Sequence, residues 1–425
     1  MFSRRELSET AQLYIVWLAG FSFTMSFSTT LINFYLDARG LDKAAIGVFH
    51  ATSQLGGLVV LLPALLLFRW MGRRRALVFG AAWAALMRII TVLPVPVPIM
   101  LLAEGASGVG SVLYGFASVS LLADATTTRN RAGVFGVVDG LRTLLMFVGS
   151  VIAGVGPEFA AWVLRVEAQS AESYRAVLLA AFVLRLLTTG ALLRLVQVAK
   201  GDQALPEVNP MRYVNVRELL AQRPGIYALA VPFAALWLAE SLFITFVTLF
   251  LRERLHLGDA VVGSVVGGGT LLGALGALTM PIAARRWGEA NVLRAMMVFG
   301  ALVLGALSQA SAPLWGIGLV LTFAAFFQGT AALYRALAVN LARREEYFIL
   351  STAMAAAGNV GPTFGPLIGG WVLAQHGFSA LFMLASGLMF AALLTFGLAL
   401  PLLRLPALLS RSAPPPAQRP QTLRE

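Results

Sequence analysis

The stretch "LLLFRWMGRR" (residues 65–74) returns in outline as "PIAARRWGEA" (281–290). Arg69 aligns with Arg285 and Gly72 with Gly288, in both cases 216 positions on. The same offset relates Gly47 in "AAIG" to Gly263 in "AVVG". It also relates Gly149 and Gly154 of "GSVIAG" to Gly365 and Gly370 of "GPLIGG". One matched glycine means little in an apolar chain, but a common offset across several pairs marks an internal repeat. The chain therefore reads as two halves of common design in parallel orientation.

Composition says what solvent those halves meet. Of 425 residues, 58% are hydrophobic and 12% charged, with a mean hydropathy of +0.80. An ordinary soluble domain carries roughly 25% charged residues. So much apolar surface needs lipid as its partner. There is no cysteine, so no disulfide and no thiolate metal site. No metal or cofactor is expected. A net charge of +12 raises the question of nucleic acid. The arginines are scattered through short loops, which speaks for membrane topology and no nucleic-acid partner.

A bilayer core takes about 20 mostly apolar residues per helix. Spans are expected at 11–36, 44–68, 76–94, 97–123, 132–157, 174–195, 226–251, 259–284, 291–311, 313–338, 347–374 and 379–403. The fold class is an all-α integral membrane protein with 12 transmembrane helices in two pseudo-symmetric six-helix bundles. The first run follows "MFSRRELSET" and is too long for a signal-peptide core, so it reads as a retained helix. The polar stretch 196–225 divides the N-terminal bundle (1–195) from the C-terminal bundle (226–404), and "VRELLAQ" within it could lie in the interface. The Pro-rich tail 405–425 is expected to be disordered. Most of the 32 lysines and arginines fall on the side of the N-terminus. They include Arg4, Arg5, Arg69, Arg73, Arg74, Arg285, Arg286, Arg343 and Arg344. Few, such as Arg39, Lys43, Arg165, Arg175, Arg252 and Arg254, fall opposite. The positive-inside rule then puts both termini in the cytoplasm of a cell with this multi-pass chain in its plasma membrane.

At these residues the chain resembles the major facilitator superfamily, over nearly its whole length. The loop between that family's second and third spans reads G-x-x-x-D-R-x-G-R-R. Gly72, Arg73 and Arg74 match its end, while Leu65 and Arg69 stand where a glycine and an aspartate belong. The second copy keeps Arg286 and Gly288. The family's G-P-x-x-G-G is met in span eleven by Gly365, Pro366, Gly369 and Gly370. In the span-four pattern, Glu104 of "EGASGVG" stands in the place of an arginine. The resemblance implies a secondary transporter with its site between the halves, opening alternately to each side. It also implies a cytoplasmic gate at Arg69, Gly72, Arg73, Arg74, Arg285 and Gly288. With the loop's own acid missing, Asp124 is the expected partner of Arg73 or Arg69.

The glycines have a physical reading of their own. Gly361, Gly365 and Gly369 recur on one helical face, and small residues there let backbones approach. Pro362 and Pro366 soften the same helix. Gly149, Gly154 and Gly370 belong with them. Packing alone is one account; smooth contacts where the halves rock is the other.

Ionisable groups inside spans are functional candidates. Arg88 and Glu104 lie at similar depth in neighbouring spans and are expected to pair. Asp139 and Arg142 are three apart on one face and are expected to pair locally. Structural neutralisation would account for both pairs equally well. Glu240 has no local partner, which suits reversible proton binding. Glu240, Asp139 and Glu104 are thus the candidate coupling groups. Arg185 falls mid-span in a helix the family uses as a peripheral support. By the resemblance, Asn33, His50, Gln54, Tyr114, Arg142, Trp237, Gln328, Tyr334 and Asn359 are candidate cavity residues. A greasy, aromatic cavity with isolated carboxyls points to proton-coupled efflux of amphipathic or drug-like compounds. Uptake or export of a polar or anionic metabolite, held by Arg142 or Arg185, is the alternative. The expected partners are membrane lipid, a small solute and protons, with the chain acting as a monomer. Three scattered histidines, no cysteine and no G-x-x-x-x-G-K-[ST] argue against an enzyme and against ATP-driven transport by this chain.

Overall fold

The computed structural model describes residues 9–60, 63, 67, 70–124, 131–194, 228–341 and 347–411. In the first half α1 is Glu9–Ala38, α2 Lys43–Val59, α3 Arg73–Val92, α4 Val97–Asp124, α5 Arg131–Leu164 and α6 Ala171–Gly190. In the second, α7 is Ala230–Leu249, continued by a π-helical turn at Phe250–Arg254, and α8 is Asp259–Trp287. Then come α9 (Glu289–Ser308) and α10 (Pro313–Leu341). The long helix Tyr347–Arg411 breaks at Gly377, where φ is 75°, giving α11 (347–376) and α12 (378–411).

Among the described residues, ten helical segments are long and apolar enough to cross a membrane. One of them, Leu350–Pro401, holds both α11 and α12. The described part of α2 is 17 residues long and stands outside the ten. These segments accord with the twelve expected spans. Residues 196–225 lie outside the described residues. Residues 405–411 continue α12 as helix, a correction for that part of the expected disordered tail, whose remainder, 412–425, lies outside the described residues. "PALLSR" adds leucine and alanine to the pattern of α12, and these favour helix.

The repeat is written into the backbone. Among the described residues, six have positive φ, and they form three pairs at matching turns. Gly40 (80°) and His256 (53°) close the turns after α1 and α7, 216 positions apart. Gly72 (77°) and Gly288 (84°), also 216 apart, sit where α3 and α9 begin. Arg165 (57°) and Gly377 (75°) follow α5 and α11. Gly72 and Gly288 combine positive φ with extended ψ (161° and 139°), a region essentially closed to residues with a Cβ, so a glycine kept at both positions is a conformational requirement.

Packing repeats as well. α1 packs on α5 and α6, α2 on α4, and α3 on α4 and α6. Correspondingly α7 packs on α11, α8 on α10, and α9 on α10 and α12. Between the halves, α2 meets α11 and α5 meets α8, with α1 touching α7 and α8. The face where α1 begins is called proximal below, and the face where it ends distal.

Candidate functional site

The halves meet at their distal ends through backbone. A Cβ on Gly47 would run into the carbonyl oxygen of Pro366, and one on Gly370 would lie 2.6 Å from the carbonyl oxygen of Lys43. On the other flank, a Cβ on Gly154 would lie 2.6 Å from the carbonyl oxygen of Asp259, and Gly263 faces Ser150 and Gly154. Such contacts need bare glycines, because any side chain would hold the helices apart. Gly361, Gly365 and Gly369 instead pack against Trp237, Ser241 and Phe246 of α7, and so bind α11 into its own half. Gly149 seats α5 on Phe23 and Ser26 of α1 in the same way. Neither Pro362 nor Pro366 breaks α11, whose backbone stays helical up to Gly377.

Polar groups seal the same end. Lys43 donates to Asp37 at 2.8 Å and to Glu253 of the other half. Lys43 precedes the apolar part of α2, at the membrane edge. Burial works against its charge. The hydrogen bonds to Asp37 and Glu253 more than offset that and hold its ammonium above the ordinary lysine range. Tyr174 donates to Asp259 at 2.6 Å, again across the halves. Arg252 lies 3.8 Å from Asp259, with its guanidinium over the rings of Phe34 and Tyr174 at 4.6 and 5.5 Å. Deeper, Asn33 donates to the carbonyl oxygen of Thr245 (2.6 Å) and to the Thr248 hydroxyl (3.0 Å). Both its amide hydrogens are then used, so its oxygen must accept from His50 Nε2 at 2.7 Å. Asn33 and His50 thus sit in the junction.

Proximally the halves part. On α2, Gln54 and Leu58 continue the face of Gly47 two and three turns on, yet both are exposed. On α11, Asn359 and Ala355 continue the face of Pro366 and are likewise exposed. Leu278 of α8 is 71% exposed, three turns beyond the packed Gly267. The face that binds the halves distally therefore lines a gap proximally. Gln54, Asn359 and the exposed Gln328 lie along exposed faces; Asn359 donates to the Ala355 carbonyl. α8 and α10 leave a cleft of about 260 Å³ that reaches Arg285 and Glu289.

The ionisable groups sort differently from expectation in places. Arg88 and Glu104 form an ion pair at 2.8 Å, with Glu104 buried and Arg88 also donating to Ser28. Arg185 is 4% exposed, with its guanidinium 4.3 Å from the Phe21 ring and Tyr114 within bonding reach. Tyr114 packs on Trp17 and Phe21. Asp139 and Arg142 form no ion pair, a correction to the expected local contact; both are exposed, and exposed pairs gain little over hydration. Tyr334 is fully buried and donates to the Leu229 carbonyl at 2.8 Å, so it packs in the core instead of lining the cavity. Glu240 is half-buried on α7 and has neither ion pair nor hydrogen bond among the described residues. Trp237, one turn before it, packs edge-on to Phe327 and is half-buried.

The gate motif is only partly in view. Arg69 lies outside the described residues, as do the side chains of Arg73 and Asp124, and with them the expected contact. Arg74 is half-buried on α3, Arg285 is exposed at the end of α8, and Gly72 and Gly288 make the matching turns noted above.

Several residues of consequence escaped the sequence. Lys43, Glu253, Asp259 and Tyr174 make the distal seal, but their partners lie in the other half and leave no local pattern. Arg335, on α10, falls inside the expected span 313–338, near its proximal end. Its guanidinium lies over the rings of Trp237 and Phe233, at 5.6 and 5.9 Å.

A family model described as Major Facilitator Superfamily matches residues 14–347 and, overlapping, 233–425. No curated protein matches the chain's sequence. Solved structures of similar fold include a bacterial homologue of the human lysosomal transporter Spinster, inward-facing and unoccupied. It is 13% identical, with 96% of this chain and 100% of that one covered and a TM-score of 0.68. A bacterial homologue of the iron transporter ferroportin, inward-facing, is 16% identical over 91% and 98%, at 0.70. The nucleoside transporter NupG is 14% identical over 92% and 99%, at 0.68.

Proposed function

We propose that this chain, which belongs to the Major Facilitator Superfamily, is a secondary active transporter that exports amphipathic compounds in exchange for protons. As a member of a transporter family it is a multi-pass membrane protein, not an enzyme, and its partner is a small-molecule substrate. Alternating access accounts for two halves clamped distally and parted proximally. The basic residues near the proximal ends, Arg285 and Arg286 among them, support a reading in which that face and both termini are cytoplasmic and the membrane is the plasma membrane. The rocking units are the bundles 1–195 and 226–404, joined through 196–225.

One observation carries the coupling: Glu240 stands half-buried beside Trp237 without a counter-charge among the described residues. An intramembrane carboxyl without a counter-ion is costly to keep unless it exchanges a proton or meets a ligand. The test is reconstitution of the full chain in proteoliposomes with a broad panel of amphipathic solutes, with and without a pH gradient. A pH gradient is expected to drive accumulation. Glu240→Gln is expected to retain counterflow and lose that drive. A confirmed substrate whose transport ignores the gradient overturns the coupling.

A further inference from the structure

The exposed stripe of α10 faces the space between the halves. Phe323 and Phe327 pack on Phe243 and Trp237 of α7. Ala324, Ala325 and Gly329 pack on Gly273, Gly276 and Met280 of α8. Phe326 covers Phe299 of α9 on the remaining side, and Tyr334, three turns after Phe323, packs on Phe233 of α7 and Phe396 of α12. Gln328, Ala332 and Arg335 fall between the α7 and α8 contacts, and all three are exposed. This stripe therefore looks into the gap that opens proximally.

Arg335 is an unusual charge to place there. No acid lies within ion-pair distance of it among the described residues. It is held by ring faces, Trp237 and Phe233. Beside it, the Trp237 indole Nε1–H is buried with no acceptor. A buried donor without a partner is costly and calls for an explanation. An exposed guanidinium without a counter-ion among the described residues and a buried indole N–H without an acceptor thus lie side by side on this stripe.

We infer that Arg335 and Trp237 form the recognition patch for an amphipathic organic anion, a carboxylate or sulfonate carried on a flat apolar body. The guanidinium supplies charge-assisted hydrogen bonds, and the half-buried ring of Trp237, backed by the buried Phe233, supplies the apolar platform. The inference rests on the reading of the chain as an exporter of amphipathic compounds and narrows its substrate class. It requires no change at Glu240.

The full-length protein, purified in detergent, is tested by equilibrium dialysis against naphthalene sulfonate and its uncharged counterpart, naphthalene sulfonamide. The wild type should bind the sulfonate at least about tenfold more tightly, the factor that one charge-assisted contact supplies. Arg335→Gln should erase the preference while leaving sulfonamide binding in place, which also shows that the variant is folded. Arg335→Lys should retain part of the preference. Trp237→Phe keeps the platform, removes the indole donor and should cost the sulfonate a few-fold. A wild type that does not prefer the sulfonate, or a preference that survives Arg335→Gln, overturns the inference. Gradient-driven transport of the solute panel is decided separately in proteoliposomes, so its failure is distinguishable from this one.

Discussion

Lys43 and Asp259 open α2 and α8 at equivalent points of the two halves, 216 positions apart, carry opposite charge, and each bonds the other half. Lys43 reaches Glu253 on the turn after α7, and Asp259 accepts from Tyr174 on α6. The distal seal is thus two latches of opposite polarity placed by one repeat. Reversing a single charge should spring one of them. In Lys43→Glu three acids would converge, since Asp37 and Glu253 remain. The chain has no cysteine, so Ala51→Cys, fully buried below Gly47, supplies a clean reporter. An impermeant maleimide added on the distal side should label it several-fold faster in the Lys43→Glu background. Glu253→Lys added to that background should restore most of the protection.

The same lysine sets a pH dependence. Its folded-state value is raised by Asp37 and Glu253 despite burial. A raised lysine stabilises the folded state fully below its unfolded value and loses that contribution as pH climbs through the folded value. The thermal-stability gap between wild type and Lys43→Met should therefore stay constant from neutral pH to the ordinary lysine range, then close above it. Melting curves in detergent across that range check this. A gap that closes near neutral pH would assign the effect to another group.

Close approach at the seal gives a steric prediction. Gly47 meets the Pro366 carbonyl and Gly370 meets that of Lys43, so neither site has room for a side chain while the distal end is shut. Gly47→Leu should bias the molecule towards the distally open form. Transport is expected to fall at least about tenfold, because one state of the cycle is lost. Labelling of the Ala51→Cys reporter should rise in parallel. Gly140→Leu, with nothing close to its Cβ position, is the control that should label as wild type.

How much of this was legible beforehand follows from the range of the interactions involved. Apolar runs and a shared offset are properties of the chain itself, so the twelve spans, the two halves and even the glycine at 72 and 288 could be read from residues alone. Pairing within one half was partly legible: Arg88 met Glu104 because equal depth in adjacent helices is arithmetic. Asp139 and Arg142 did not pair, because spacing fixes a shared face but not whether water competes. Tyr334 turned into its own bundle, since helical rotation about the core is set by neighbours such as Phe396 and Leu229. The distal seal was hidden, because Lys43, Glu253, Tyr174 and Asp259 meet only when the halves do.

Asn33 ties α1 to α7 and α2 at once, through three hydrogen bonds. Asn33→Leu would leave the Thr248 hydroxyl, the Thr245 carbonyl and the His50 imidazole without it. A cost of about 1–3 kcal/mol per stranded buried group is the ordinary range. The melting temperature should fall by several degrees, and the reporter at Ala51→Cys should become more reactive from the distal side. Asn33→Asp keeps the acceptor for His50 but gives up both donors to α7. It should therefore loosen the seal while sparing the α1–α2 contact.

Arg88 and Glu104 offer the sharpest separation of structure from mechanism. They pair at 2.8 Å, with Glu104 buried inside the first half. Breaking one member of such a pair strands a charge, and costs of about 3–5 kcal/mol are usual. Replacing both with apolar residues of similar size is often neutral. Arg88→Met and Glu104→Leu alone should each reduce folded yield sharply, whereas the double variant should recover it. The recovered protein then decides the role. If proton-driven transport persists in the double variant while Glu240→Gln abolishes it, the pair neutralises charge in the bundle and coupling belongs to Glu240. If the double variant folds, exchanges solute and has lost its response to the gradient, Glu104 is the coupling carboxyl and the assignment to Glu240 fails.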